Sequence, residues 1–309
     1  MYVSVSNSAL NVTECQVVCI IDVNKKHPIH AIGGMTVSKH DQALGQWPSA
    51  PLALVLAQVR FDPEVDTEYK DVATRLKAAL GDRFPAMKAV RQMTFVFGNR
   101  PAPSEERRPS DGEVGRELRS DDGRSALRLQ DGMMTYTTSL YEDSPHFLAE
   151  WRSMLDCLCA AGGVKVLRLG LRYVDFIIPT AGKVPEDYFK DGFTRSSNVF
   201  GETAQVAFMS YEYPKGDDGM MRVQYGRGFA PPSLPPDLDG SVELPSALTG
   251  KYTQGPSAVL DIDRWRTDSR RLQAGEIADE FQHLRDDISM AFRRIITPEA
   301  EAEWSGKQA

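Results

Sequence analysis

Three arginines on strand-like segments are the residues of this chain best suited to chemistry. Arg60 ends the run at 51–61, and Arg168 and Arg172 lie in the run at 164–179. A planar guanidinium presents several donors in a fixed fork and suits bidentate binding of carboxylate or phosphate groups. If the two strands lie side by side, these three side chains predict an anion-binding cleft.

Acidic residues on neighbouring segments offer the arginines a structural role instead. Asp261 and Asp263 lie two residues apart in AVLDIDRW and share one face of a predicted strand, and Asp175 lies in a second strand. Ion pairs across the sheet would use up the positive charge, and we favour this alternative over ligand binding. Facing carboxylates can also hold a divalent cation, but pairing with arginine is the more common arrangement. The sequence predicts no metal site.

The remaining reactive groups form no catalytic set. Cys157 and Cys159 are one residue apart on a predicted helix, so their side chains diverge and a zinc site is not expected. Nucleophile elbows, Walker loops and the dinucleotide fingerprint are absent. Three of the five histidines precede residue 47, and the others lie on helix flanks. We therefore expect no catalytic residues, no cofactor and a non-enzymatic protein.

Composition limits the cellular setting. The 309 residues include 36 Lys and Arg against 43 Asp and Glu, which gives a net charge of −7. This acidic balance argues against broad nucleic-acid binding. No apolar run approaches the roughly 20 residues that span a bilayer, and the four cysteines lack the spacing of a disulfide framework. We expect a cytoplasmic protein with no membrane association.

Strand and helix patterns occur twice in the same order. Each half has a strand rich in β-branched and aromatic residues, then a helix, an antiparallel meander and a second helix. The opening strands are alike, LAQVRFDP and LGLRYVDF, which indicates an internal duplication. We predict an α+β fold in which two pseudo-repeated units, 48–163 and 164–304, form one compact domain. Their strands would join in a saddle-like antiparallel sheet with helices on one face.

Alternation in the second opening strand predicts which side chains are buried. Arg168 and Arg172 should share the face opposite the helices. The helix-facing set would be Leu167, Leu169, Leu171 and Tyr173.

Two segments depart from this pattern. Residues 1–47 are predicted to be an extension. We expect the natural start to be Met35, since the residues before it are unlike the rest of the chain. Residues 231–255 are proline-rich and predict a long irregular insertion between two strands.

The order of motifs resembles a sporadically distributed bacterial family of uncharacterised proteins. The resemblance covers residues 51–304, and its motifs are PLALVLAQVRF at 51–61, TTSLY at 137–141, LRLGLRYVDFI at 167–177 and AFRRIITPEAEAEW at 291–304. No family activity or catalytic residue carries over to this chain.

Patchy distribution of such a family implies an accessory role. We expect a binding protein that acts through a protein partner encoded by a neighbouring gene, as a toxin-neutralising or phage-defence component. The alternative is an enzyme or sensor that binds a nucleotide or other phosphorylated small molecule between Arg60, Arg168 and Arg172. A DNA-binding saddle ranks last because of the net negative charge.

Overall fold

A computed structural model describes residues 47–64, 67–91, 113–180, 182–194, 202–216, 219–250, 252 and 255–306. The chain divides into two compact units, and all of the described residues belong to the same unit. The predicted extension before Trp47, the expected start at Met35 and a strand expected at 92–98 lie outside the described residues.

The described strands form one unclosed, ten-stranded antiparallel sheet, so the α+β class predicted from sequence is confirmed. The strands are β1 Leu52–Phe61, β2 Ala86–Arg91, β3 Glu113–Arg119, β4 Ser125–Gln130, β5 Met133–Thr138, β6 Val164–Ile177, β7 Ala207–Pro214, β8 Gly219–Gly228, β9 Ser257–Thr267 and β10 Arg271–Leu272. The helices are α1 Tyr69–Leu80, α2 Ser144–Leu158, α3 Asp191–Thr194, α4 Ser246–Thr249, α5 Ala274–Ile295 and α6 Pro298–Ser305, with a 3-10 turn at Pro185–Tyr188.

The two opening strands, β1 and β6, pair with each other at the centre of the sheet. The spatial order is β2-β3-β4-β5-β1-β6-β9-β8-β7, and the short β10 also pairs with β6. In each half, the last strand of the meander returns to lie beside the opening strand. This order is compatible with two joined units of similar topology, and the internal duplication itself stays a prediction.

The long helices cover one face of the sheet. Helix α2 begins where the Asp143 carboxylate accepts a hydrogen bond from the His146 backbone N–H, with Pro145 in the first turn. Its Trp151 ring packs edge-to-face on Phe281 of α5, with centroids 5.4 Å apart. Both rings belong to the large core between the helices and the sheet. Within the described residues, no helix is long and apolar enough to cross a membrane.

The predicted insertion covers part of the opposite face. Its residues Leu234, Leu238, Val242 and Leu248 form a second, smaller core. On the sheet side this core includes Leu54 of β1 and both Val174 and Phe176 of β6. The face away from the helices is therefore not fully open, because the insertion covers its central strands as a roof.

A β-bulge in β6 corrects one part of the predicted face pattern. Arg168 pairs with Arg60 of β1, whereas Val166 pairs with Phe61, so Leu167 is an extra residue between them. Leu167 is 42% exposed, and both Val166 and Leu169 are fully buried. The prediction that Leu167 faces the helices was wrong, because it assumed strict alternation of side chains along the strand and took no account of an inserted residue. Leu169, Leu171 and Tyr173 lie in the helix-side core as predicted.

The bulge predicts unequal losses of stability when leucine is replaced by alanine at two positions of β6. Leu169→Ala should lower the free energy of unfolding by about 2–5 kcal/mol, because it leaves a cavity in the core. Leu167→Ala should change it by less than about 0.5 kcal/mol, because the side chain is largely exposed. Urea denaturation of both variants measures the difference. Equal losses would show that Leu167 is buried and that the bulge is absent.

Candidate functional site

A cavity of about 320 Å³ lies on the face of the sheet that the helices leave uncovered. Its floor is formed by outward-facing side chains of the central strands, among them Gln58, Arg168 and Arg172. Its roof includes Asp237 and Ser241 of the insertion. This volume lies within the range of small-molecule sites. We call this cavity the cleft.

All three predicted arginines lie on this face, but they are not equivalent. Arg168 and Arg172 line the cleft. Arg60 is directly opposite Arg168 in the β1–β6 pair and is exposed beside the cleft, not part of its lining. The pairing of two opening strands with matching arginine positions therefore brings together groups that are more than a hundred residues apart in the chain.

The guanidinium of Arg172 is paired with two carboxylates. Its Nε donates to Asp261 Oδ1 at 2.8 Å, and its Nη2 donates to Asp261 Oδ2 at 2.6 Å. Nη1 donates to Asp237 Oδ2 of the roof at 2.5 Å. Burial by itself would lower the pKa of Arg172, but the hydrogen bonds to Asp261 and Asp237 raise it above its usual value. For this arginine the cross-strand pairing described in the sequence analysis is present.

Arg168 is weakly paired by comparison. Its Nη1 donates to Gln58 Oε1 at 3.3 Å, and the nearest carboxylate oxygen, Asp263 Oδ2, lies 4.0 Å from its Nη2. Its guanidinium stacks over the Trp265 ring at 5.1 Å from the centroid. Burial lowers the pKa of Arg168, Asp263 opposes this change, and the positive charge of Arg60 adds to it. Most of its donors are available to a ligand.

Positive charge is concentrated at this end of the cleft. Arg60 and Arg168 face each other across the strands, and like charges in such positions repel. Arg222 stacks on Trp265 as well, 5.3 Å from the ring centroid, and its Nε donates to Glu212 at 2.9 Å. An anion placed between these guanidinium groups would relieve the repulsion.

The cations at the other end of the cleft share a carboxylate, Glu117, that belongs to the protein itself. Glu117 is buried, and its carboxylate oxygens lie 2.9 Å from Arg128, 3.1 Å from Arg119 and 3.4 Å from Lys88. Burial would raise the pKa of Glu117, but Arg128 and Arg119 lower it below its usual value. Arg128 thus already has a carboxylate at 2.9 Å, whereas the described residues give Arg168 one only at 4.0 Å, so a ligand anion is expected at Arg168.

The three carboxylates considered as cation ligands do not converge on one point. Asp261 lies under the cleft, on the outer face with Arg172, and Asp263 lines the cleft. Asp175 lines a separate small pocket with Trp47, on the side of the sheet that the helices cover. Among the residues that the structure describes, no three His, Cys, Asp or Glu side chains are placed to hold a metal ion.

The two described cysteines lie at the end of α2. Cys159 is buried and Cys157 is half-buried, and neither forms a disulfide. Burial raises the pKa of Cys157 and raises that of Cys159 to about 11. Since the thiolate is the reactive form, both side chains are poor nucleophiles at neutral pH.

Sequence reasoning missed two residues that line the cleft, Glu117 and Asp237, and one, Trp265, that packs against its arginines. Glu117 lies on an edge-side strand within a polar stretch, and Asp237 lies in the irregular insertion. Trp265 follows the predicted acidic pair, and its stacking with two arginines depends on the pairing of β9 with β6 and β8. The alternation in β9 is a local signal that could have placed Trp265 on the same face as Asp261 and Asp263.

Comparison with known proteins gives little beyond this geometry. No protein-family model matches the chain, and no curated protein matches it. Among solved structures, it is similar to the rolling circle replication initiator protein from Geobacillus stearothermophilus, with a TM-score of 0.30 and 12% sequence identity. The match covers 80% of this chain and 85% of that chain. Similarity at this level is too distant to assign a fold family or a function.

Asp175 predicts a measurable pH dependence of stability. Burial, and secondarily the charge of Asp261, raises its pKa to about 8 in the folded protein, whereas an unfolded chain ionises it near pH 4. The folded state therefore holds a proton that the unfolded state has lost, and stability falls as pH rises from about 4 to about 8.

Asp175→Asn should remove this dependence. At pH 9 the variant should be more stable than the parent, and at pH 5 the two should be within about 1 kcal/mol. Chemical denaturation across this range measures the difference between variant and parent. Asp279→Asn, at an exposed position of α5, is the control and should show a flat difference. A flat difference for Asp175→Asn would contradict the burial of an ionisable carboxyl group.

Proposed function

We propose that this protein is a binding protein whose cleft takes a small anionic molecule, with Arg168 as the main anion ligand and Arg60 beside it. One observation carries this proposal. Arg168 faces Arg60 across the β1–β6 pair, and among the described residues no carboxylate oxygen lies closer to its guanidinium than 4.0 Å. A partly desolvated guanidinium without a close anion is costly, so the position of Arg168 in the cavity supports a ligand that supplies the charge.

Arg172 has a supporting role in this proposal. Its guanidinium joins β6 to β9 through Asp261 and to the roof through Asp237, so it holds the cleft together. Removing the Arg172 guanidinium would leave the buried Asp261 carboxylate without its partner. This would destabilise the protein, because an unpaired buried charge is strongly unfavourable. Arg168 is therefore the better position for testing ligand binding.

The ligand class follows from the donors and the space. A guanidinium fork suits phosphate and carboxylate oxygens, and the cavity volume of about 320 Å³ accepts a small phosphorylated molecule such as a nucleotide. The described part of the cleft supports recognition, so we propose a binding or sensing role in place of catalysis. A cytoplasmic setting, where phosphorylated metabolites are abundant, is part of the same proposal.

Removing the Arg168 guanidinium should weaken anion binding. Phosphorylated small molecules, screened from inorganic phosphate to nucleotides, should raise the thermal unfolding temperature of the parent protein, because they bind the folded state. Arg168→Ala should raise the dissociation constant about tenfold or more, as expected for a lost charge-assisted hydrogen bond. Isothermal titration calorimetry measures this change.

Arg294→Ala is the matched control, since Arg294 is exposed near the end of α5, away from the cleft. Its affinity should equal that of the parent. The proposal fails if no phosphorylated compound shifts the parent, or if Arg168→Ala and Arg294→Ala have the same effect.

A second candidate function is binding of a partner protein at the edge strand β7. Among the described strands, β7 pairs only with β8 and lies at one end of the strand order. Large apolar side chains near one end of this hairpin are exposed, with Val206 at 77%, Phe208 at 69% and Phe229 at 55%. An extended segment of a partner could add a strand to this edge, which suits an accessory protein with a toxin-neutralising or defence role.

Pull-down from the source cells tests this second candidate. A stoichiometric partner should be retained by the parent protein and lost with Phe208→Ser, because that substitution removes the apolar contact at the edge. Met290→Ser, at another exposed apolar position on α5 (48% exposed), should retain the partner. If both variants retain the same protein, β7 is not its binding site. A parent dimer that Phe208→Ser converts to a monomer would show instead that the edge pairs with a second copy.

A further inference from the structure

Asp263 is a carboxylate of the cleft with unused hydrogen-bond acceptors. It lies directly opposite Arg172 of β6 and Arg222 of β8 in the sheet register. Arg172 directs its hydrogen bonds to other carboxylates, and so does Arg222. The closest cationic nitrogen is that of Arg168 at 4.0 Å, beyond hydrogen-bond distance. Within the described part of the chain, no donor reaches the two Asp263 oxygens.

The environment of Asp263 makes this unusual. Its side chain is only 20% exposed, and burial of a carboxylate is costly unless it accepts hydrogen bonds. Burial raises the pKa of Asp263, although Arg168 and Arg172 oppose the change. The carboxylate therefore lies in the cleft at a cost that donors from a ligand would reduce.

The roof of the cleft has a second unused polar group. The Ser241 hydroxyl is buried and has no hydrogen-bond partner among the residues that the structure describes, and Ser241 lines the same cavity as Asp263. A hydroxyl both donates and accepts, so it matches a polar, neutral part of a ligand. The cleft thus holds a weakly paired cationic group, Arg168, with Asp263 near it, and a hydroxyl on its roof.

Asp263 also disfavours simple anions. A carboxylate 4.0 Å from the guanidinium that binds the anion repels a phosphate that lacks donors, and this repulsion is strong in a partly desolvated site. A ligand with hydroxyl groups beside its phosphate converts the same carboxylate from a repelling group into a hydrogen-bond acceptor. Selectivity then arises from both effects together.

We propose that the ligand of this cleft is a phosphorylated molecule with neighbouring hydroxyl groups, of the sugar phosphate or nucleotide class. Its phosphate binds Arg168, and its hydroxyls donate to the carboxylate of Asp263. Asp263 is thus the residue that selects polyol phosphates over phosphates without hydroxyls. This inference rests on the anion-binding function proposed above, and it adds the chemistry that the ligand must carry.

Two probes of nearly the same size test the role of Asp263. Glycerol 3-phosphate and n-propyl phosphate share a three-carbon chain and a phosphate, and only the first has hydroxyls. The parent protein should bind glycerol 3-phosphate about tenfold or more tightly than propyl phosphate, as expected for hydrogen bonds to a charged acceptor. Titration calorimetry measures both dissociation constants.

Asp263→Asn should reduce this preference to about threefold or less, because a neutral amide accepts more weakly than a carboxylate. Propyl phosphate should bind the variant as well as it binds the parent, or more tightly, since the repelling charge is gone. Asp279→Asn on α5 should keep the parent preference. Thermal unfolding of the variants confirms that each is folded.

The outcomes separate this inference from the function on which it rests. If the parent binds both probes equally, or if Asp263→Asn keeps the full preference, selection by Asp263 is wrong while anion binding stands. If neither probe nor inorganic phosphate binds, and Arg168→Ala is indistinguishable from the parent, the proposed function fails and this inference fails with it.

Discussion

The antiparallel pairing of β1 with β6 determines where the central residues of the cleft, Gln58, Arg168 and Arg172, lie. Side chains alternate along a strand, so a shift of one residue in this register would turn Arg168 and Arg172 towards the helices. The register is held by buried leucines, since Leu169 and Leu171 fill the core on the helix side. The bulge at Leu167 absorbs an extra residue, so that Val166 and Leu169 are both buried. Packing on one face thus positions the charges on the other.

Charge in the cleft is distributed unequally, and this inequality is the basis of the proposed function. Arg172 contacts two carboxylates, of which Asp261 is buried and Asp237 is largely exposed. Arg168 lies on the same strand and face but has a carboxylate only at 4.0 Å. A buried, well-paired arginine contributes to structure, whereas a desolvated arginine with unused donors favours binding of an anion. The same residue type therefore has two roles four positions apart.

The insertion between β8 and β9 makes a cavity out of what would otherwise be an exposed sheet face. Its leucines pack on Leu54, Val174 and Phe176 of the central strands. This apolar contact anchors the roof more firmly than the Arg172–Asp237 pair does, because an ion pair with an exposed carboxylate contributes little. Hydrophobic burial thus holds the roof in place, and the Ser241 hydroxyl, which has no partner among the described residues, remains available to a ligand.

The local sequence pattern was sufficient to predict most of the strands and helices. It also assigned many of the strand side chains to the correct face of the sheet. The β-branched and aromatic runs predicted both central strands. Apolar residues at steps of three and four over 276–296 predict a helix, which the structure shows as α5, Ala274–Ile295. The short β2 was missed, because its side chains are mostly exposed and show no apolar alternation. Leu167 was assigned to the wrong face, because a bulge depends on the partner strand.

The sequence by itself determined the α+β class, the two central strands and the shared face of Arg168 and Arg172, since these depend on periodicity within single segments. Only the tertiary structure decided which arginine is paired and which is open. The partners of Arg172 lie 89 and 65 residues further along the chain, on β9 and in an irregular insertion. Contacts over such separations depend on strand register and loop path, and no local pattern of residues encodes either of them.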